Sequence, residues 1–285
     1  MTWTTIILIL LIIYACISIG IYFFQDLLFF KPEKLPKDFA FQYENLNFDE
    51  YSLEVSPGII INGLHFKCEH PRGVVFYLKG NTRSIKGWGK FAIDFNRNNF
   101  DVLMIDYRGF GKSIGKRTHN AIKEDLQLVY DQIKLKVPEK YIILYGRSMG
   151  SGFATKLASV NNPKMLILDA PYYSLKHVAM RYLPFMPLSW LIKFPVPTYK
   201  WIKYVKCPIH IIHGTDDKLI PLKSGILLSQ INPKISRLHI VIGGGHNNLH
   251  NFQSYHVFLD EILKGDDEYF DISKSSLLFT RKRKT

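Results

Sequence analysis

Six short runs of almost wholly apolar residues, at 74–78, 102–106, 141–145, 165–168, 209–212 and 238–242, alternate with segments of helical period at 87–98, 120–136, 149–160, 221–231 and 254–264. A strand that is apolar on both faces must be covered on both faces. The rhythm therefore predicts an α/β fold: a mostly parallel central sheet with helices on each side. Upstream, residues 39–69 hold alternating, β-rich patches around the turn signal Ser56-Pro57-Gly58, which predicts an antiparallel start to the sheet. With 285 residues, 47% of them hydrophobic, the chain suffices for one such domain with a substantial core, assigned here to 39–270.

Three segments stand outside the rhythm. Residues 1–25 carry no charged side chain, and 6–24 is a nearly unbroken apolar run, close to the roughly 20 residues that cross a bilayer. A cleavable signal peptide would have a basic start and a shorter apolar stretch, so 1–26 is read as a retained transmembrane anchor. A linker at 27–38 follows, marked by Pro32 and Pro36. Lys31, Lys34 and Lys37 lie after the span and none before it, which by the positive-inside tendency places the domain in the cytoplasm. Between the fourth and fifth strands, about 172–206 is a helical insertion rich in Tyr, Pro, Trp, Phe, Met and Leu. It reads as an apolar lid over a site, as segments packed on the core, or as a surface touching the membrane beside the anchor. The tail, 271–285, ends in the cluster Arg281-Lys282-Arg283-Lys284, suited to solvent or to anionic headgroups.

The formal net charge of +13 favours a negatively charged neighbour, a membrane surface or a nucleic acid. No nucleic-acid reader motif accompanies it, so nucleic acid is not expected as a partner. Three cysteines, Cys16, Cys68 and Cys207, are too few and too widely spaced for a disulfide framework or a zinc site. No metal and no cofactor is expected.

The pattern G-x-S-x-G occurs twice. Gly146-Arg147-Ser148-Met149-Gly150 follows directly on the strand-like 141–145 and opens a helical run. A serine on so tight a strand-to-helix turn is presented at the first turn of a helix, whose free N–H groups favour negative charge. Gly111-Lys112-Ser113-Ile114-Gly115 lies six residues past its strand, with no apolar helical pattern after it. It also fails as a phosphate-binding loop, because the first glycine of that motif would fall on Asp106. Ser113 is therefore read as part of a turn-rich loop, and Ser148 as the candidate nucleophile.

In an open parallel sheet, ligands bind beyond the carboxyl ends of the strands. Lys79-Gly80-Asn81-Thr82 follows the first of these strands, and Met149 follows Ser148. An acidic pair, Asp216-Asp217, follows 209–212 within His213-Gly214-Thr215-Asp216-Asp217, and Gly243-Gly244-Gly245 delivers His246 after the last strand. A serine hydroxyl needs a base to take its proton, and the imidazole needs a carboxylate to fix its tautomer. Backbone N–H groups at Asn81 and Met149 would form the oxyanion hole. Either Asp216 or Asp217 meets the requirement by position. His246 and His250 are spaced for one helix face, but without an H-E-x-x-H motif they do not read as metal ligands.

Over roughly 40–265 the chain resembles the α/β-hydrolase superfamily, and within it the single-anchor serine hydrolases of the acyl-thioesterase and prolyl-oligopeptidase-like group. The resemblance rests on four motifs: Asp106-Tyr107-Arg108-Gly109-Phe110-Gly111-Lys112-Ser113, Gly146-Arg147-Ser148-Met149-Gly150, His213-Gly214-Thr215-Asp216-Asp217 and Gly244-Gly245-His246. It implies an α/β-hydrolase fold with Ser148 as nucleophile, Asp217 as acid and His246 as base. The His-Gly-Thr-x-Asp pattern selects Asp217 over Asp216. The chain departs from the family in carrying Lys79-Gly80-Asn81 where His-Gly-Asn is usual, which leaves the role of Lys79 open. The implied activity is a membrane-anchored serine hydrolase acting on carboxylic esters or thioesters, with a small-molecule or acylated substrate. A peptidase for short peptides and a catalytically silent binding protein are the alternatives.

Overall fold

The computed structural model describes residues 2–264. Eight strands form one sheet: β1 (Asn47–Ser56), β2 (Ile59–Lys67), β3 (Val74–Leu78), β4 (Asp101–Ile105), β5 (Ile142–Arg147), β6 (Met165–Asp169), β7 (Ile209–Gly214) and β8 (Ser236–Val241). The helices are α1 (Trp3–Phe29), α2 (Ile85–Trp88), α3 (Ile93–Asn96), α4 (His119–Lys134), α5 (Met149–Ala158), α6 (Leu175–Tyr182), α7 (Leu188–Leu191), α8 (Thr198–Trp201), α9 (Lys223–Ile231) and α10 (Gln253–Lys264). The sheet order is β1-β2-β4-β3-β5-β6-β7-β8. The β1–β2 and β2–β4 pairs are antiparallel and all the others parallel. The antiparallel start turns at Gly58, whose φ of +73° a side chain would resist.

Alternate residues of the central strands face opposite cores. In β5, Ile142 and Leu144 join Leu126, Val129, Ile133 and Phe153 from α4 and α5, whereas Ile143 and Tyr145 join Phe95, Tyr255 and Leu259 on the other face. That is why the strands read as continuous apolar runs. The helix expected at 87–98 is instead broken into α2, a 3-10 turn at Gly89–Ala92, and α3. Gly89 lies within that interruption, and the Tyr43 ring occupies the space where its side chain would be.

The topology decides where a site can form. From β3 the chain passes to β4 on one side, then crosses back to β5 on the other side of β3. This reversal opens a crevice at the carboxyl ends of β3 and β5. Their register pairs Leu78 with Gly146, so the loop at 79–82 and the turn at 146–150 leave the sheet side by side. The basic cluster at 281–284 lies outside the described residues.

Candidate active site

Gly146 and Gly150 stand where the turn after β5 leaves no room for side chains. A methyl group on Gly146 would lie 2.6 Å from the Gly150 carbonyl and 2.7 Å from the Ala154 methyl, and one on Gly150 would overlap the Leu78 carbonyl. Between them Ser148 is held at φ +49°, ψ −117°, a conformation costing on the order of 1–3 kcal/mol for a residue with a side chain. Its backbone N–H donates to the Asp169 carbonyl at 2.9 Å, which ties the turn to the end of β6.

His246 comes to Ser148 from the far edge of the sheet. Its Nε2 lies 2.9 Å from Ser148 Oγ, and its Nδ1 lies 2.7 Å from Asp217 Oδ2. The consistent proton arrangement is Nδ1–H donating to the carboxylate and Nε2 accepting from the hydroxyl. The glycine run before it is latched to the loop after β7. The Asp216 N–H donates to the Gly244 carbonyl at 2.8 Å, and the Gly243 N–H to Thr215 Oγ1 at 2.8 Å.

The two acidic neighbours diverge. Asp216 is exposed and accepts from the Thr215 hydroxyl at 2.8 Å. Asp217 is buried, and its Oδ1 accepts from the N–H groups of Ile220 at 2.7 Å and Leu219 at 2.9 Å. Burial by itself raises the pKa of Asp217. Contacts with His213 and His246, together with the Ile220 N–H, outweigh burial and hold it well below the usual carboxylate range. His213 is buried as well, its Nε2–H donating to the Ile220 carbonyl at 2.7 Å, which braces the loop that carries Asp217. The sequence offered no sign of that role beyond the position of His213 in its motif.

Met149 follows Ser148 directly, and Asn81 lies three residues past Leu78 in the loop that leaves the neighbouring strand. Met149 is the first residue of α5, where a backbone N–H has no partner within the helix. The Asn81 side chain is engaged elsewhere, its Nδ2 donating to the Phe29 carbonyl at 2.5 Å, and the backbone carbonyl of Asn81 accepts from the Lys31 N–H at 2.9 Å. Whatever Asn81 offers a substrate must therefore come from its backbone N–H. Arg147, which nothing in its motif singles out, is buried beneath the turn with Nε 3.6 Å from Asp169 Oδ2 and its guanidinium against the rings of Trp88 and Phe91.

Lys79 points away from the crevice. Its Nζ donates to the Arg83 carbonyl at 3.0 Å, lies 3.4 Å from Asp106 Oδ1, and sits 3.8 Å from the centroid of the Phe110 ring. Burial pulls the ammonium down to about 8 against the attraction of Asp106. Burial also pushes the Asp106 carboxyl up to about 6 against the attraction of Lys79. Lys79 is thus a strut under the 79–82 loop. Lys79→Met should cost about 3–5 kcal/mol of stability near pH 8, because it strands a buried carboxylate. Without the cation, the folded pKa of Asp106 rises further while the unfolded value stays near 4. Between those values the folded state binds the extra proton, so the deficit should shrink as the pH falls toward 5. Thermal unfolding at the two pH values checks this; an equal deficit at both would be evidence against the pairing.

Ser113 is fully engaged in the loop that carries it. Its hydroxyl donates to the Asp106 carbonyl at 2.7 Å and accepts from the Asn62 N–H at 2.9 Å. Ser113→Ala should cost about 1–3 kcal/mol of stability and leave turnover essentially unchanged. Chemical denaturation alongside an activity assay separates the two effects.

The insertion divides its side chains between two environments. Leu188, Phe194, Val196 and Ile202 are buried, whereas Phe185 and Trp190 are each 87% exposed. A cavity of about 380 Å³ opens between α6 and α9, lined in part by His177, Met180, Arg181, Leu219 and Lys223. It shares the 217–221 loop with Asp217 but is lined by none of Ser148, His246, Asn81 or Met149.

An open, mostly parallel sheet with a serine-bearing turn at its reversal point and an imidazole arriving after the last strand defines the α/β-hydrolase fold. Comparison with known proteins leads to the same class. Residues 69–202 match the profile of the family described as serine aminopeptidase, S33. The α/β hydrolase domain-containing protein aho-3 of Caenorhabditis elegans is 32% identical over 159 residues, 55% of this chain and 47% of that protein. The lysophosphatidylserine lipase ABHD12 of Xenopus tropicalis is 28% identical over 178 residues, 55% of this chain and 46% of that protein. The chain thus spans about half the length of these relatives. Among solved structures, the Pyrococcus furiosus esterase Pf2001 superposes with a TM-score of 0.66 at 20% identity, covering 82% of this chain and 98% of that one. The chain has the α/β-hydrolase fold, and its residues 69–202 are similar to that hydrolase family.

Proposed function

We propose that the protein is a serine hydrolase that cleaves carboxylic esters or thioesters of lipid-like, acylated substrates through an acyl-Ser148 intermediate, and that α1 anchors it in a membrane. The observation that carries the reading is the continuous chain from Ser148 Oγ through His246 to Asp217, at 2.9 and 2.7 Å. Ser148 Oγ attacks the acyl carbon as its proton passes to His246 Nε2. Asp217 stabilises the imidazolium that results. The developing oxyanion is met by the backbone N–H groups of Met149 and Asn81, a contribution of about 3–4 kcal/mol per donor in such sites. Collapse of the intermediate expels the alcohol or thiol, which takes the proton from His246. A water then repeats the sequence in reverse roles to release the acid.

The substrate class is inferred from the apolar insertion beside the site, from α1, whose 27 residues are long and apolar enough to cross a membrane, and from the lipase activity that the name of ABHD12 states. Lys31, Lys34 and Lys37 after the helix favour a cytoplasmic domain. A peptidase acting on short peptides is the second reading, favoured by the name of the matching family.

The test is labelling of the full-length protein by a fluorophosphonate probe, together with a hydrolysis screen across acetyl to palmitoyl esters, their thioester counterparts and aminoacyl anilides. Labelling should vanish in Ser148→Ala and persist in Ser113→Ala; the reverse result would overturn the assignment. Turnover of the anilides alone would favour the peptidase. Absence of any turnover would make the fold a binding scaffold.

A further inference from the structure

We infer that the uncharged tip of the insertion, residues 182–192, is embedded in the membrane leaflet beside α1, so that the catalytic domain itself enters the bilayer. The inference rests on the reading of α1 as a membrane-spanning anchor.

The tip runs along α1 rather than away from it. At the domain end, Gln25 is clamped: its Nε2 donates to the Leu191 carbonyl at 2.9 Å, and its Oε1 accepts from the Lys193 N–H at 2.7 Å. Further along the helix, Ser18 Oγ approaches Met186 Sδ at 3.7 Å, and the Tyr14 hydroxyl donates to the Phe185 carbonyl at 3.0 Å. From Gln25 to Tyr14 is about 16 Å of helix, roughly half the thickness of the hydrocarbon core. The part of α1 beyond Tyr14, Trp3 to Ile13, measures about 16 Å and is too short to span by itself. If α1 crosses a bilayer, the stretch flanked by the insertion must lie in lipid, and Phe185 and Met186 lie there with it.

Three further observations fit this placement. No residue from Tyr182 to Ile192 is charged, while Arg181 and Lys193 bracket the segment with positive charge suited to anionic headgroups. Lys193 Nζ lies 3.7 Å from the centroid of the Tyr22 ring, and Asp26, the first charged residue of the chain, is paired with Arg117 at 2.6 Å. Polar groups thus resume at the level where the clamp sits.

Hydrocarbon also requires backbone groups to be satisfied within the protein. The N–H groups of Met186, Trp190 and Ile192 donate to carbonyls of the segment itself, Pro184 and Pro187 have none, and the Phe185 carbonyl is covered by Tyr14. A water-facing loop has no need of such pairing.

The test uses the full chain in vesicles of phosphatidylcholine and phosphatidylglycerol, with an environment-sensitive fluorophore on single introduced cysteines in a Cys16→Ser background. The positions are Phe185→Cys and Trp190→Cys in the tip, Ile12→Cys in the anchor, and Leu135→Cys, 73% exposed at the end of α4, as the water-facing control. Lipids carrying a doxyl quencher halfway down the acyl chain should quench the Phe185 and Ile12 labels several-fold, the Trp190 label in the same sense, and the Leu135 label not at all. Quenching at Ile12 with Phe185 and Trp190 behaving like Leu135 would place the tip in water beside an inserted anchor and overturn the inference. Absence of quenching at Ile12 would instead remove the anchor reading, and this inference with it.

Discussion

Ser148→Ala is expected to lower kcat by about 10⁶-fold, with a folded protein and no covalent labelling. The magnitude follows from the shared task of the three side chains: without Oγ there is nothing for His246 to deprotonate, and what remains is substrate binding plus the oxyanion donors. The same residue carries a stability signature that a passive serine would not. At φ +49°, ψ −117° a Cβ is strained, and Ala retains it. Ser148→Gly removes it and should melt at a higher temperature than Ser148→Ala, with both equally inactive. Steady-state turnover of the best ester and calorimetric melting of the two variants check both parts. An alanine variant retaining a tenth of the activity would end the assignment.

Asp217→Asn is expected to lower kcat by about 10⁴-fold. The geometry explains why so small a change matters. Asp217 Oδ1 is already taken by the N–H groups of Ile220 and Leu219, so an amide in place of the carboxylate must keep its oxygen there and turn its NH₂ toward His246. A donor then faces the ring Nδ1. The imidazole answers by moving its proton to Nε2, the nitrogen that must accept from Ser148. Asp216→Asn, at an exposed carboxylate bonded to Thr215, should stay within about twofold of wild type, as surface changes usually do.

A pH signature accompanies the variant. Because folding lowers the pKa of Asp217, the folded state binds fewer protons than the unfolded chain as the pH falls below about 4. The stability from this carboxylate is present above that range and lost on acidification. The melting-temperature gap between wild type and Asp217→Asn should therefore narrow below about pH 4, and a constant gap would contradict the lowered pKa.

Much of this architecture was legible because its signals are local. A strand buried on both faces must be apolar throughout, so β3 to β7 announced themselves, and Pro57-Gly58 marked the first hairpin. Gly146 and Gly150 were legible for the same reason, since a tight turn admits nothing larger. The broken helix at 85–96 was missed because the space that admits only Gly89 is created by Tyr43, far away in the chain. Lys79 was equally opaque. Whether a lysine at a strand end reaches substrate or turns inward depends on a partner, Asp106, that only the adjacent strand supplies. The insertion admitted three readings because its composition serves all of them. In the structure Phe194 and Val196 pack inside, while Phe185 and Trp190 stay outside on the tip that runs along α1.

The sequence by itself determined the order of strands and helices, the serine on its turn, and the order of acid and histidine after it, because each is a property of a few consecutive residues. Tertiary structure alone decided that Lys79 turns inward onto Asp106, that Asn81 gives its side chain to the end of α1, and that the tip of the insertion runs along α1. Those outcomes depend on what approaches from elsewhere in the chain: burial, hydrogen-bond partners and the reversal of the sheet between β3 and β5. A pattern of neighbours along the backbone carries no record of them.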